Sequence, residues 1–281
     1  MQLGYNTNGF THHPLLTAIE VMHEIGYRGV AITLDYGALN PFQPELKQRA
    51  DELRARLDEW QMTSVIETGA RFLLDPRRKH HPTLVSAREV DRDCRLDFLR
   101  RAVDVAALLD SACVSIWSGV PDPTHAHEEA IWDGLTTSLR DLLQYADARG
   151  VVIAFEPEPG MFIDTMAAYA QLIERLEGSR LRLTLDLGHL HCMGETPIRD
   201  QIIQWRDHLA NVHIEDMRQG VHEHLMFGEG EMDFDEICST LVDVGYTGPI
   251  NVELSRHSHQ APEAARKSFE FLRSHFSTAG A

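Results

Sequence analysis

Apolar positions along the chain fall into two patterns that take turns. Short runs rich in Val, Ile and Leu recur as QLGYN at 2–6, GVAITLD at 29–35, TSVIET at 63–68, ACVSIW at 112–117, VVIAFEPE at 151–158, LRLTLDLGH at 181–189, ANVHIED at 210–216 and INVELS at 250–255. Between them lie segments with helical spacing, among them PLLTAIEVMHEIG at 14–26, CRLDFLRRAVDVAALLD at 94–110 and EEAIWDGLTTSLRDLLQYADARG at 128–150, the last closing on a glycine stop signal. The short runs are continuously apolar rather than strictly alternating. That suits strands buried on both faces and predicts parallel strands joined by helices. Eight such βα units fit a closed (β/α)8 TIM barrel, an α/β fold of about 250 residues. The competing doubly wound sheet lacks its usual sign, because no GxGxxG follows the first strand. No low-complexity linker divides the chain, so residues 1–281 are expected to form one barrel domain. The longest interruption, 70–91, reads as an enlarged βα loop, the kind that carries function in a barrel.

Composition narrows the classes. Hydrophobic residues at 43% and charged ones at 25% allow a sizeable core and exclude a disordered or fibrous chain. A formal charge of −17 disfavours nucleic acid and anionic membranes as partners. Cys94, Cys113, Cys192 and Cys238 are far apart and form no CxxC pair, so neither a disulfide framework nor a thiolate zinc site is indicated, and a reducing cytoplasm suits them. The start, MQLGYNTNGFTHHP, has no basic segment followed by an apolar run, and no stretch approaches the about 18 apolar residues of a membrane span. Histidine is the outlier at 16 residues, compatible with a metal site and equally with a polar surface.

Position decides between the two. Four of the later runs end in a residue able to bind a metal: Glu156 in IAFEPEP, Asp186 in LTLDLGH, His213 in NVHIED and Glu253 in NVELS. Each gap is about one βα unit, so in a barrel the four side chains come from successive strands and converge at the C-terminal mouth, where active sites of this fold sit. Any one of them alone has a plainer role, as a helix cap for Glu156 or Asp186 and as a hydrogen-bonded core residue for His213. All four in register with the repeat point to a site. Three carboxylates and one imidazole suit Mn²⁺, Mg²⁺, Co²⁺ or Fe²⁺ better than a thiolate-seeking ion.

With FEPEP at 155–159, LDLGH at 185–189, VHIED at 212–216, FGEGEMDF at 227–234 and VELS at 252–255, the sequence resembles the xylose-isomerase-like TIM-barrel superfamily. That superfamily includes ketose 3-epimerases, inosose dehydratases and endonuclease-IV-like enzymes, and the resemblance runs in order through essentially the whole chain. It implies Glu156, Asp186, His213 and Glu253 as ligands of one divalent ion, Mn²⁺ foremost with Mg²⁺, Co²⁺, Fe²⁺ or Zn²⁺ as alternatives, and His189 directed at the substrate. It implies too that Glu156 and Glu253 are catalytic, exchanging protons with a small keto-sugar, keto-cyclitol or related polyhydroxy carbonyl compound through a metal-bound enediolate. The chemistry asks for these parts independently, since moving a proton beside a carbonyl needs a Lewis acid for the oxygen and a base at the carbon. A second carboxylate on the opposite face turns enolisation into epimerisation. Glu156 and Glu253, counted as four units apart, are expected to face each other across the barrel.

Departures from the epimerase pattern shape the remaining expectations. Those enzymes carry a second glutamate about six residues after the first, where this chain has Phe162, expected to alter the substrate rim; Glu158, only two residues on, either substitutes for it as a substrate-binding residue or does not. Arg218 is a candidate for gripping a substrate hydroxyl, carboxylate or phosphate. Glu67 and Arg71 follow the third strand, where a salt-bridged loop competes with substrate contact. Trp117 stacks on a sugar ring or fills the core. His257 lines the pocket or solvates its loop. RRKHH at 77–81 attracts an anion or is simply solvated. His222 and His224 resemble the endonuclease-IV-like loop that supplies further zinc ligands, while a solvated pair is the commoner case. Asp233 with Glu236 reads as a capping box. A lyase, a zinc phosphodiesterase and a non-catalytic sugar-binding barrel remain alternatives, and a homo-oligomer is compatible with all of them.

Overall fold

The computed structural model describes residues 2–122 and 127–279. Seven strands follow in chain order: β1 (Gln2–Asn6), β2 (Gly29–Thr33), β3 (Thr63–Glu67), β4 (Val114–Ile116), β5 (Ile153–Phe155), β6 (Arg182–Asp186) and β7 (Leu209–Ile214). After an antiparallel hairpin, β8 (Asp216–Arg218) and β9 (Val221–Leu225), comes β10 (Pro249–Val252). Strands β1 to β7 and β10 form one closed parallel barrel, sealed where β10 pairs with β1 in the register Gln2 opposite Pro249. This is the expected (β/α)8 TIM barrel.

Around it run α1 (Leu15–Ile25), α2 (Leu46–Trp60), α3 (Glu89–Leu109), α4 (Glu128–Asp147), α5 (Met166–Arg175), α6 (Leu187–Cys192), α7 (Ile198–Trp205), α8 (Phe234–Asp243) and α9 (Ala261–Ala279). The stripe that makes α1 a helix is Leu15, Ala18, Ile19 and Met22, all buried at spacings of three and four. α2 is mostly polar and buries Ala50, Leu53 and Leu57, which is why its periodicity is faint in the sequence. α3 starts at Glu89, a turn and more before the apolar pattern at 94, because Glu89 and Asp91 belong to its first turn, where negative charge favours the helix dipole. α8 is capped as expected, Asp233 Oδ1 accepting from the Glu236 amide at 3.0 Å. No helix among the described residues is long and apolar enough to cross a membrane.

The apolar runs overshoot the strands at their C-terminal ends, as at β5, which stops at Phe155 although the run continues to 158. Those extra residues are buried by the loops of the mouth rather than by a strand ladder. Glu156 still donates its amide to the Ile116 carbonyl at 2.8 Å, so its side chain leaves the barrel rim at a fixed angle.

Two glycines have steric reasons. A Cβ on Gly4 would collide with the Asn251 side chain inside the barrel and crowd the Gly29 backbone. The other, Gly230, belongs to the FGEGEMDF run, which wraps the carboxylate of Asp216. Asp216 Oδ2 accepts from the amides of Gly228 and Gly230 at 2.8 Å each, and Oδ1 from Met217 at 2.9 Å and Met232 at 3.2 Å. Any side chain on Gly230 would strike that carboxylate. The run is thus a clasp holding the β8–β9 hairpin over the barrel mouth.

Candidate active site and metal centre

At the C-terminal mouth the strands surround a cavity of about 630 Å3. Glu156, Asp186, His213 and Glu253 lie at or just beyond the ends of β5, β6, β7 and β10, the fifth to eighth barrel strands. One donor atom from each falls within 4.8 Å of all the others. His213 Nδ1 is the hub, 2.9 Å from Glu253 Oε2, 3.2 Å from Glu156 Oε1 and 3.9 Å from Asp186 Oδ2. Adjacent ligands of one octahedral ion with bonds near 2.1 Å stand about 3 Å apart, so the donors are spaced for a single cation.

Two further observations fit an ion to this set. Asp186 Oδ1 caps α6 by accepting the His189 amide at 2.8 Å, while the buried Oδ2 has no hydrogen-bond partner and points into the cluster. Asp186 therefore caps the helix with one oxygen and leaves the other available to the cluster. On the far side of the imidazole, His213 Nε2 is 2.9 Å from Glu67 Oε1, a partner that would keep a proton on Nε2 when an ion displaces the one on Nδ1. Glu67 thus binds the histidine as well as bordering the cavity.

The strand count needs one correction. Glu156 and Glu253 follow the fifth and eighth barrel strands, three positions apart rather than four, so they approach the same centre from well-separated sides without facing each other diametrically. The eight apolar runs already place them fifth and eighth, so the count of four is one too many.

The electrostatics separate the two glutamates. Burial, with Glu253 and Asp186 nearby and only partly offset by His213, raises Glu156 to about 8. Burial also opposes ionisation of Glu253, but His213, His224 and His189 outweigh it and hold that carboxyl well below the usual range. Asn8 Nδ2 donates to Glu253 Oε1 at 2.7 Å, fixing the oxygen that His213 does not use. Asn8 was not singled out from the sequence. Its signal was its place, in the loop directly after the first strand, at the same mouth as the four ligands.

The remaining candidates divide. Glu158 lines the cavity beside Glu156, and burial pushes its carboxyl up. Trp117 lines it too, backed by the Arg95 guanidinium 4.2 Å from its ring centroid. Arg218 is exposed and donates to the Glu229 carbonyl at 2.8 Å, so it is not among the cavity-lining residues. His257 is likewise absent from the lining, which is supplied on that loop by Ser255, Arg256, Ser258 and His259. Phe162 does not form the substrate rim, because its ring packs edge-on against Trp132 at 4.9 Å; the neighbouring Met161 lines the cavity instead. Glu67 and Arg71 do not pair, Arg71 lying 3.9 Å from Asp35. Of the basic cluster, Lys79 and His80 line the cavity, and Arg78 pairs with Asp75 at 2.8 Å.

His222 and His224 alternate on β9, which puts both on one face, against His189. His222 Nε2 lies 3.1 Å from His189 Nε2, and His224 Nδ1 lies 3.2 Å from the Glu253 carbonyl. His189 Nδ1 lies 3.3 Å from the Pro157 carbonyl, and burial lowers its pKa to about 4, so it is a neutral imidazole with its Nε2 lone pair turned to His222. Behind them Glu215, unnoticed in the sequence, is fully buried with neither carboxylate oxygen hydrogen-bonded.

A family model described as xylose isomerase-like TIM barrel matches residues 19–275. The chain belongs to that family. It is 25% identical to the fructoselysine 3-epimerase of Shigella flexneri over 282 aligned positions, 97% of each chain. Among solved structures it superposes on a D-tagatose 3-epimerase-like protein with a TM-score of 0.81 at 21% identity, covering 100% of this chain and 98% of that one. It superposes on the IOLI protein, solved with a bound zinc atom, with a TM-score of 0.78 at 19% identity and 99% of both chains covered.

Proposed function

We propose that residues 1–281 form one catalytic domain, a divalent-metal-dependent isomerase or epimerase of a small keto-sugar, keto-cyclitol or related polyhydroxy carbonyl compound. The observation that carries this reading is the convergence of three carboxylates and His213 within 4.8 Å, with Glu156 and Glu253 of that set lining an open cavity. Epimerase relatives and a zinc-containing structural neighbour support it. One divalent ion, Mn²⁺ foremost with Mg²⁺, Co²⁺, Fe²⁺ or Zn²⁺ also suited to these donors, would polarise the substrate carbonyl.

The chain's own groups do the rest. Glu253, held ionised by its histidine neighbours and oriented by Asn8, takes the proton from the carbon beside the carbonyl. Glu156, the other cluster carboxyl that borders the cavity, carries the proton returned to the carbon. Glu158 and Trp117 orient hydroxyls and ring beside the reacting carbon.

The deciding experiment is a panel of keto-sugars and keto-cyclitols incubated with the Mn²⁺-loaded protein in D2O. NMR is expected to find deuterium at the carbon beside the carbonyl in at least one of them, with the inverted isomer accumulating. Loss of water after exchange would move the assignment to a lyase. No exchange in any member by the metal-loaded protein would leave a non-catalytic barrel.

A second reading, a zinc phosphodiesterase, is favoured by one observation: donor atoms of His189, His222 and His224 also lie within 4.8 Å of one another. A hydrogen-bonded histidine group accounts for the same contacts, and the formal charge of −17 disfavours a polyanionic substrate. Elemental analysis is expected to find about one ion per chain, unchanged in the His222→Ala/His224→Ala variant, which would alter substrate preference instead. Two or three zincs in the unmodified protein, reduced in the variant, would replace the isomerase reading with the phosphodiesterase one.

A further inference from the structure

A second cavity, of about 320 Å3, opens beside the first. The two share Asn8, Thr11, Thr33 and Arg71 in their linings, so they adjoin at the same mouth. Their characters differ. The first is floored by carboxylates and imidazoles; the second is built from the loops after β1, β2 and β3, with the apolar side chains of Phe10, Leu15, Tyr36 and Phe72 among its lining. Phe10 and Leu15 are buried beneath it, whereas Tyr36 is 61% and Phe72 44% exposed. Two large aromatics left in water next to a polar reaction chamber signal a surface that something apolar covers. Asn8 connects the chambers, for it borders the apolar one and donates to Glu253 Oε1 at 2.7 Å.

We infer that the substrate is a keto-sugar conjugate whose apolar or aromatic substituent occupies this annex while its carbonyl end sits at the Glu156–Glu253 floor. The inference rests on the keto-sugar reading and narrows it from free ketoses to substituted ones, such as aryl keto-glycosides. The sugar's hydroxyls find polar partners in the first chamber, and a free monosaccharide has no apolar part to place over Tyr36 and Phe72. A flat ring laid against the apolar lining that includes Tyr36 and Phe72 buries apolar surface, enough for a binding gain of roughly tenfold.

The test compares methyl and phenyl 3-keto-β-glucosides on the Mn²⁺-loaded protein, by titration calorimetry and by deuterium exchange. The phenyl compound is expected to bind at least about tenfold more tightly than the methyl one. In Tyr36→Ser/Phe72→Ser that advantage should vanish, with methyl-glycoside affinity kept within about twofold, which also confirms that the variant is folded. Equal affinities in the unmodified protein, an advantage that survives in the variant, or binding of neither compound would overturn the inference. Exchange without a phenyl advantage would remove the annex and keep the isomerase; a phenyl advantage without exchange would do the reverse.

Discussion

Glu253→Gln is expected to lower proton exchange at the substrate carbon by a factor of about 10²–10⁴, the usual contribution of a positioned base, with the metal kept saturating. Glutamine preserves the shape and one ligating oxygen but cannot accept the proton. The geometry gives Glu253 two separate tasks: Oε2 lies 2.9 Å from His213 Nδ1 in the donor cluster, and Oε1 is held at 2.7 Å by Asn8. Glu156→Gln should cause a loss of similar size, since Glu156 has an oxygen in the cluster and borders the cavity as Glu253 does. Asp186→Asn serves as the contrast. Asp186 is buried, with one oxygen in the helix cap and the other turned to the cluster, and it is not among the cavity-lining residues, so its replacement should weaken metal retention while exchange recovers at high Mn²⁺. Exchange is read by NMR at metal saturation for all three variants. Parent rates in both glutamine variants would reduce Glu156 and Glu253 to ligands.

How far this site was legible in the sequence follows from where its parts lie. The barrel and the clustering of Glu156, Asp186, His213 and Glu253 could be read because each of the four ends its own apolar run, one βα unit after the last, and in a closed parallel barrel sequence order is also order around the axis. The angular relation of Glu156 to Glu253 was equally legible, since their runs are the fifth and eighth of eight, and only the count of four units between them was wrong. The β8–β9 hairpin was hidden. VHEHL alternates with period two over five residues, too short a stretch to distinguish from a polar loop, although Gly220 at a φ of +73° marks its turn. Glu67 appeared as a substrate contact because position at a strand end is visible in sequence; its bond to His213 depends on β3 and β7 reaching across the barrel interior, which local patterns do not encode. Arg218 and His257 failed to reach the cavity for a related reason. Both lie on connections whose side-chain directions are set by tertiary contacts, the Glu229 carbonyl in the case of Arg218. Phe162 illustrates the limit of spacing arguments: six residues after Glu156 the chain has already turned outward to pack on α4.

Removing the metal is expected to abolish exchange, by roughly 10³-fold or more, since a Lewis acid contributes several kcal/mol and each 1.36 kcal/mol is a factor of ten. Mn²⁺ or Co²⁺ should restore it after chelation. Uptake should also carry a proton signature whose sign follows from the site. In the metal-free chain Glu156 is raised to about 8, and His213 is held protonated by Glu67, Glu156 and Glu253 against its burial, so at pH 7 the cluster retains protons that a cation must displace. Loading at pH 7 is therefore expected to release protons, and affinity to rise with pH as far as about 8, where Glu156 gives up its own. The same shift enters the stability profile of the metal-free protein. A carboxyl whose folded-state pKa lies above its unfolded value favours unfolding as pH climbs through about 8, while His80 and His189, lowered to about 4, act in the opposite sense only below the ordinary histidine range, so the metal-free form should lose stability from about pH 6.5 to about 8 and the loaded form should not. Titration calorimetry in two buffers of different ionisation enthalpy counts the protons, and thermal melts across the window, with and without Mn²⁺, read the stability. Uptake without proton release would mean that the cation binds elsewhere than among Glu156, Asp186, His213 and Glu253, and full turnover by demonstrably metal-free protein would refute the Lewis-acid chemistry altogether.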